Sequence, residues 1–299
     1  PTDPLRGPEA VVADIAEMVR EAVDEVAASG ERPELAGTGV GCPGPIDRTT
    51  GRIVESPNLR WIDVPLRDLI AERLSGPVHL DNDANCATWG EWWRGAGRGA
   101  RSMIGVTVGT GVGGGCIIDG RLVHGVSDGA GEIGHTTVHV SGRRCACGNE
   151  GCLEAYASGP AIAARAREGI ERGASSRLAE MVGHDLAEIS AETVFEGAVA
   201  GDPFALEVLG EAARFLGVGI ANVINLLNPS VVVIMGGVTR AGDHLFTPVR
   251  QEVRRRAFRG LVDACAVVPA QLGQSAGLVG AAGLAAEAAG LLADAPGRE

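Results

Sequence analysis

VHLDNDANCATWGEWWR (residues 78–94) and, after eight further residues, MIGVTVGTGVGGGCII (residues 103–118) decide the fold class. Val78-His79-Leu80 reads as a short strand entering Asp81-Asn82-Asp83, residue types that open helices and turns because their side chains bond nearby backbone N–H groups. Residues 84–94 have helical character, 103–108 form a second strand, and the glycine-rich segment 109–115 leads to a further strand over 116–118. The alternation continues outward. Residues 11–28 place Val12, Ile15, Ala16, Val19 and Val23 at helical spacing and stop at Ser29-Gly30; a strand over 35–40, a loop at 41–45, a polar hairpin around 47–52 and a short helix over 66–74 follow. Downstream the pattern predicts helices over 159–171, 191–199 and 204–227, a strand over 231–235 closing on Gly236-Gly237, and an Ala-rich helix over 277–292. Strands alternating with helices indicate an α/β protein with largely covered sheets.

The chain has 299 residues, 45% of them hydrophobic, enough to bury a substantial core. It contains no run of 18 apolar residues, and residues 1–10 lack both a basic start and a hydrophobic signal region, so a soluble cytoplasmic protein is expected. The net charge of −12 works against general affinity for nucleic acid. All 26 basic residues are Arg, so any role that needs a lysine must be filled otherwise.

Seven cysteines are unevenly spread: Cys145, Cys147 and Cys152 fall within eight positions, while Cys42, Cys86, Cys116 and Cys265 stand singly and are assigned no role. Three thiols with a nearby imidazole match the four-ligand demand of a structural Zn²⁺, and Gly148 and Gly151 let the backbone turn tightly enough to converge them. His135 and His139 both qualify as the fourth ligand by spacing. Asp83 could serve as a base toward a bound hydroxyl, although the local sequence alone favours a helix cap. The segment 108–115 could expose N–H groups to an anion or be a ligand-free hairpin, and Gly236-Gly237 could admit a nucleotide ring or merely end a strand.

Taken together, Gly37-x-Gly39-x-Gly41-x-Pro43-Gly44-Pro45, Pro57-Asn58-Leu59-x-Trp61, Asp81-Asn82-Asp83-Ala84-Asn85, Gly131-Glu132-Ile133-Gly134-His135 with the cysteine cluster, and Gly277-Leu278-Val279-Gly280-Ala281-Ala282 resemble the ROK family of repressors, open reading frames and kinases, over nearly the whole chain. The resemblance implies a two-lobed actin-like (ribonuclease H-like) ATPase fold, with residues 1–95 plus 275–299 in one lobe and 96–274 in the other. It selects His135 over His139 as the zinc ligand beside Cys145, Cys147 and Cys152. It makes Asp83 the catalytic base; it has Asn82, Asp83, Glu132, His135 and Glu154 hold sugar hydroxyls, and Thr110, Gly111, Gly113, Gly114, Gly236 and Gly237 contact ATP. Met235 departs from the family, many members of which have a glycine there.

The implied reaction is ATP- and Mg²⁺-dependent phosphorylation of a hexose, glucose first, by a homodimer or dimer of dimers. The resemblance also implies an Asp-x-Gly-Gly-Thr-Lys phosphate loop and about three strands ahead of Pro1. The rival reading is a sugar-sensing transcriptional regulator of the same family without its DNA-binding segment; a third is a fragment that binds zinc but neither sugar nor ATP.

Overall fold

The structure, a computed structural model, describes residues 2–292. A short 3₁₀ turn, Pro4–Arg6, runs into helix Gly7–Ala28, which starts four residues before the apolar periodicity does because Pro8 sits in its first turn, where no N–H is needed. Strand β1 (Thr38–Cys42) follows, later than the expected 35–40 because ladder bonding begins where Thr38 N–H meets the Pro77 carbonyl. A small antiparallel ribbon, β2 (Ile46–Asp47), β3 (Arg52–Ser56) and β4 (Trp61–Val64), precedes helix Leu66–Ala71 and β5 (Val78–Asn82). β1 and β5 pair in parallel with Cys42 opposite Asn82, so the strand ends and the Asp83 turn emerge at one edge. Val12, Ala16, Ile53, Trp61, Leu66, Ile70 and Leu80 make the core on one side of this sheet.

The second sheet contains β6 (Met103–Val108), β7 (Val112–Ile118), β8 (Arg121–Leu122), β9 (Val231–Met235) and β10 (Ala266–Pro269), in the spatial order β10-β9-β6-β7-β8. β9 pairs in parallel with β6 and β10, whereas β6, β7 and β8 form an antiparallel meander. One face carries the main core, where Ile104, Val106, Val232 and Ile234 meet Leu209, Leu216 and Ile220 of helix Pro203–Leu227 and Leu245 and Val249 of helix Asp243–Arg256. The other face is covered by helix Asp83–Arg94, whose Trp89 and Trp92 pack on Met103, Ile117, Val231 and Val233.

Helix Ala276–Ala288 lies against both β1 and helix Asp83–Arg94. The approach is backbone to backbone: a Cβ on Gly280 would come within 1.6 Å of the Cys86 carbonyl, and one on Gly39 within 1.9 Å of the Ala281 carbonyl. The order is therefore first sheet, helix Ala276–Ala288, helix Asp83–Arg94, second sheet. The C-terminal helix stops at Ala288, short of the expected 292, and Gly290 follows at φ 72°; residues 293–299 of the expected first lobe lie outside the described residues. Among the described residues no helix is long and apolar enough to cross a membrane.

Candidate active site and cysteine cluster

At the end of β5 the chain turns into helix Asp83–Arg94, and Asn82 performs the capping. Its backbone is extended, and its Oδ1 accepts from Ala84 N–H at 2.9 Å and from Asn85 N–H at 3.3 Å. Asp83 is the first helical residue; its Oδ1 accepts from Ala84 N–H at 2.8 Å, and among the described residues no other side chain bonds its carboxylate. The side chain is reachable by solvent, yet protein crowds the remaining directions enough for burial to raise the carboxyl pKa above the ordinary aspartate value. These two facts fit a group lining a concave cleft, and the accessibility decides what can reach it.

The glycine-rich connection is shorter than the sequence suggests. Only residues 109–111 turn, with Gly109 N–H bonded to the Gly111 carbonyl at 2.9 Å; Gly113, Gly114 and Gly115 lie within β7. They are glycines because neighbours press on the strand: a Cβ on Gly115 would lie 2.5 Å from Thr88 Oγ1, and one on Gly113 3.0 Å from the Ala84 Cβ, beside Asp83. Gly114 is buried against Gly131 and Ile133, while Thr110 stands exposed at the turn. Gly236 adopts φ 101° and passes so close to β6 that a Cβ would lie 2.1 Å from the Val108 carbonyl. Beside it opens a cavity of about 160 Å³ lined by Val108, Gly109, Ile162, Phe195, Gly237 and Val238, with the Arg240–Glu192 ion pair nearby. A mostly apolar cavity beside the exposed turn at Gly109-Thr110 suits a nucleobase joined to phosphates. Ile162 and Phe195 carry no motif and were not legible as site residues.

The short 3₁₀ turn Ile133–His135 is pressed onto β7, for a Cβ on Gly134 would lie 1.9 Å from the Val112 carbonyl. Glu154 opens helix Glu154–Ala157; its Oε2 accepts from Val112 N–H at 3.0 Å, and its Oε1 lies 3.7 Å from Cys145 Sγ. The start of β7 thus gathers the Asp83 turn through Gly113, Glu154 through Val112, and the turn after the exposed Glu132 through Gly134.

The candidate ligand atoms of His135, Cys145, Cys147 and Cys152 all lie within 4.8 Å of one another. His135 Nδ1 is 3.8 Å from Cys145 Sγ, and Cys147 Sγ is 3.7 Å from Cys152 Sγ. A tetrahedron with bonds of about 2.3 Å has edges of about 3.7 Å, so the donor set fits a zinc ion in both chemistry and size. His139 stands elsewhere: its Nδ1 meets Tyr156 Oη at 3.2 Å, and Tyr156 stacks on Phe215.

Sequence reasoning passed over the polar groups beneath Asp83. Asp81 is 4% exposed and bonds Asn82 N–H, Asn85 Nδ2 and the imidazole of His124, a partner 43 positions away that no spacing rule reveals.

The two sheets, joined through a pair of helices, have the actin-like ATPase fold of ROK sugar kinases. The ROK family profile matches residues 5–288, and the chain belongs to the ROK family. It is 45% identical over 251 residues to a glucokinase of Halalkalibacterium halodurans, covering 83% of this chain and 76% of that one. A ROK family glucokinase from Streptomyces griseus, solved with glucose and AMPPNP, superposes with a TM-score of 0.79 at 36% identity, over 92% of this chain and 88% of that one. The xylose repressor of Caldicellulosiruptor bescii is 34% identical over 224 residues, covering 75% of this chain but 56% of the repressor.

Proposed function

We propose that the protein transfers the terminal phosphoryl group of ATP to a hydroxyl of a hexose, with glucose the first candidate. The observation that supports this reading is the division of labour at the β5 end: Asn82 caps the helix, so that Asp83, exposed and bonded by no other side chain among the described residues, can reach a bound hydroxyl. A carboxylate so placed can accept the proton of an attacking hydroxyl, while Asn82 Nδ2, Glu132, His135 and Glu154 hold the sugar. Thr110, Gly111, Gly113 and Gly114, with Gly236 and Gly237, form the nucleotide side, of which Gly114 serves by letting β7 approach the 131–133 turn rather than by direct contact. Mg²⁺ supplies neutralisation of phosphate charge when bound.

Zinc would be held by His135, Cys145, Cys147 and Cys152 in a structural role, fixing the loop that presents His135 and Glu154. Residues 1–95 with the C-terminal helix are proposed as one lobe and 96–274 as the other, and the working assembly as a cytoplasmic homodimer or dimer of dimers. The glucokinases among the relatives support the kinase; the xylose repressor favours, as second reading, a sugar sensor without turnover.

The test is Asp83→Asn in the full-length protein. Hexose phosphorylation should fall about 10²–10⁴-fold while calorimetric sugar binding survives, because an amide can still hydrogen-bond but cannot take a proton. Near-normal turnover of the variant would remove Asp83 as base. Sugar binding without phosphorylation by the unmutated protein would select the sensor.

A further inference from the structure

Asp81 is a buried carboxylate whose hydrogen bonds are all spent on order. Its Oδ1 accepts from Asn82 N–H at 2.8 Å and Asn85 Nδ2 at 2.9 Å, so it fixes both the residue before Asp83 and the first turn of the helix after it. Its Oδ2 faces His124 Nε2 at 2.8 Å, with Arg48 Nε farther off at 3.6 Å. His124 follows β8 in the second lobe, and its carbonyl accepts Ala130 N–H at 2.9 Å, which closes the loop leading directly into Gly131 and Glu132. The same loop is tied a second time, by Asp128 Oδ2 accepting Arg48 N–H at 3.1 Å. The imidazole is 16% exposed and the Asp81 carboxylate 6%, so water competes weakly for the bond between them.

We propose, resting on the kinase reading above, that His124 and Asp81 form a positioning pair for phosphoryl transfer. One hydrogen bond sets the catalytic strand-to-helix junction of the first lobe and the sugar-holding loop of the second in a fixed relation. Neither residue reacts; the pair aligns Asp83 with a hydroxyl held from the other side. Loss of alignment near 1 Å is enough to cost about 10²-fold in rate.

His124→Ala should therefore lower kcat about 10- to 100-fold and raise the KM for the sugar, with the KM for ATP unchanged. His124→Gln, whose amide nitrogen reaches as far as Nε2, should recover most of the loss. Asp81→Asn should reproduce the defect, and the double variant His124→Ala/Asp81→Asn should be no worse than the poorer single variant. Assays run well below each variant's melting temperature separate alignment from mere instability. Unchanged kcat and sugar KM in folded His124→Ala, no recovery in His124→Gln, or additive losses in the double variant would each overturn the pair. If the unmutated protein phosphorylates no hexose, the kinase reading fails, and the bond is then judged by NMR alone: a protected His124 Nε2–H signal that vanishes in Asp81→Asn supports it, and absence of that signal refutes it.

Discussion

Asp83, the proposed base, illustrates how a residue put forward for chemistry can carry a cost to the fold. Burial raises its carboxyl pKa, which means that the neutral acid is more favoured in the folded protein than in the unfolded chain. A carboxyl raised in this way contributes stability that is fully present below its unfolded pKa and is lost as pH rises through the folded value. At neutral pH the ionised form is therefore a burden, and Asp83→Asn, expected to abolish turnover, should leave the melting temperature equal or higher. The difference should shrink as pH is lowered toward the unfolded pKa; thermal melts of both proteins from neutral pH down to about pH 4 measure it. A variant that melts well below the unmutated protein at neutral pH would mean that the carboxylate is structurally required. The sequence offered base and cap as competing roles for this residue. The structure gives the cap to Asn82, which has the extended backbone a cap requires, and so leaves the Asp83 side chain free of that duty; its role as base is the proposal made above. What could not be read was the layer beneath: Asp81 sits in the same motif, but its partners Arg48 and His124 lie on other elements, brought near only by folding.

Secondary elements were legible where burial imposes a clear period, as in β5, β6, β9 and helix Pro203–Leu227. They were not where composition works against the period. Residues 113–115 read as a turn because three glycines offer no side-chain alternation, yet they continue β7, where helix Asp83–Arg94 and the 131–133 turn leave no room for a Cβ. Helix Asp243–Arg256 has an apolar stripe at Leu245, Phe246, Val249 and Val253, but Pro248 interrupts it and three arginines end it, and β10 is a four-residue edge strand too short to show a period. The cysteine cluster is the opposite case, since ligand chemistry is visible in spacing even without regular structure. From Thr136 to Leu153 the chain forms no helix or strand, only isolated bridges such as Arg144 with Glu150, and so depends on its side chains for order. One zinc per chain is expected on metal analysis, and Cys147→Ala should lower the melting temperature and weaken sugar binding, because binding energy at a structural zinc is folding energy. Hydrogen exchange should localise the loosening to residues 135–152. Protein purified without zinc that melts normally and keeps this loop protected would contradict the assignment.

At the scale of the whole molecule, the question is what holds two sheets in register across a pair of helices. The chain passes from helix Asp83–Arg94 to β6 through residues 95–102 and returns from β10 to helix Ala276–Ala288 through residues 270–275. Both passages are tied to Glu91, which is fully buried: Oε2 accepts Ala96 N–H at 2.8 Å and Gln271 N–H at 3.1 Å, and Oε1 accepts Leu272 N–H at 2.7 Å. Three N–H donors meet the Glu91 carboxyl, which has no cationic partner among the described residues, and it in turn fixes both crossings to the helix that covers the second sheet. Glu91→Ala removes all three bonds, each worth about 1–3 kcal/mol once water's partial replacement is counted, and should cost about 3 kcal/mol or more in total. Glu91→Gln keeps one acceptor oxygen but turns an amide donor toward an N–H, so its loss should be intermediate. Urea unfolding followed by tryptophan fluorescence reads this directly, since Trp89, Trp92 and Trp93 lie on the same helix. The expected result is a lower midpoint for both variants, with Ala below Gln, and a shallower transition in Glu91→Ala as the lobes lose their common anchor. A loss below about 1 kcal/mol in Glu91→Ala would mean that the crossings are held by the glycine-mediated helix contact alone.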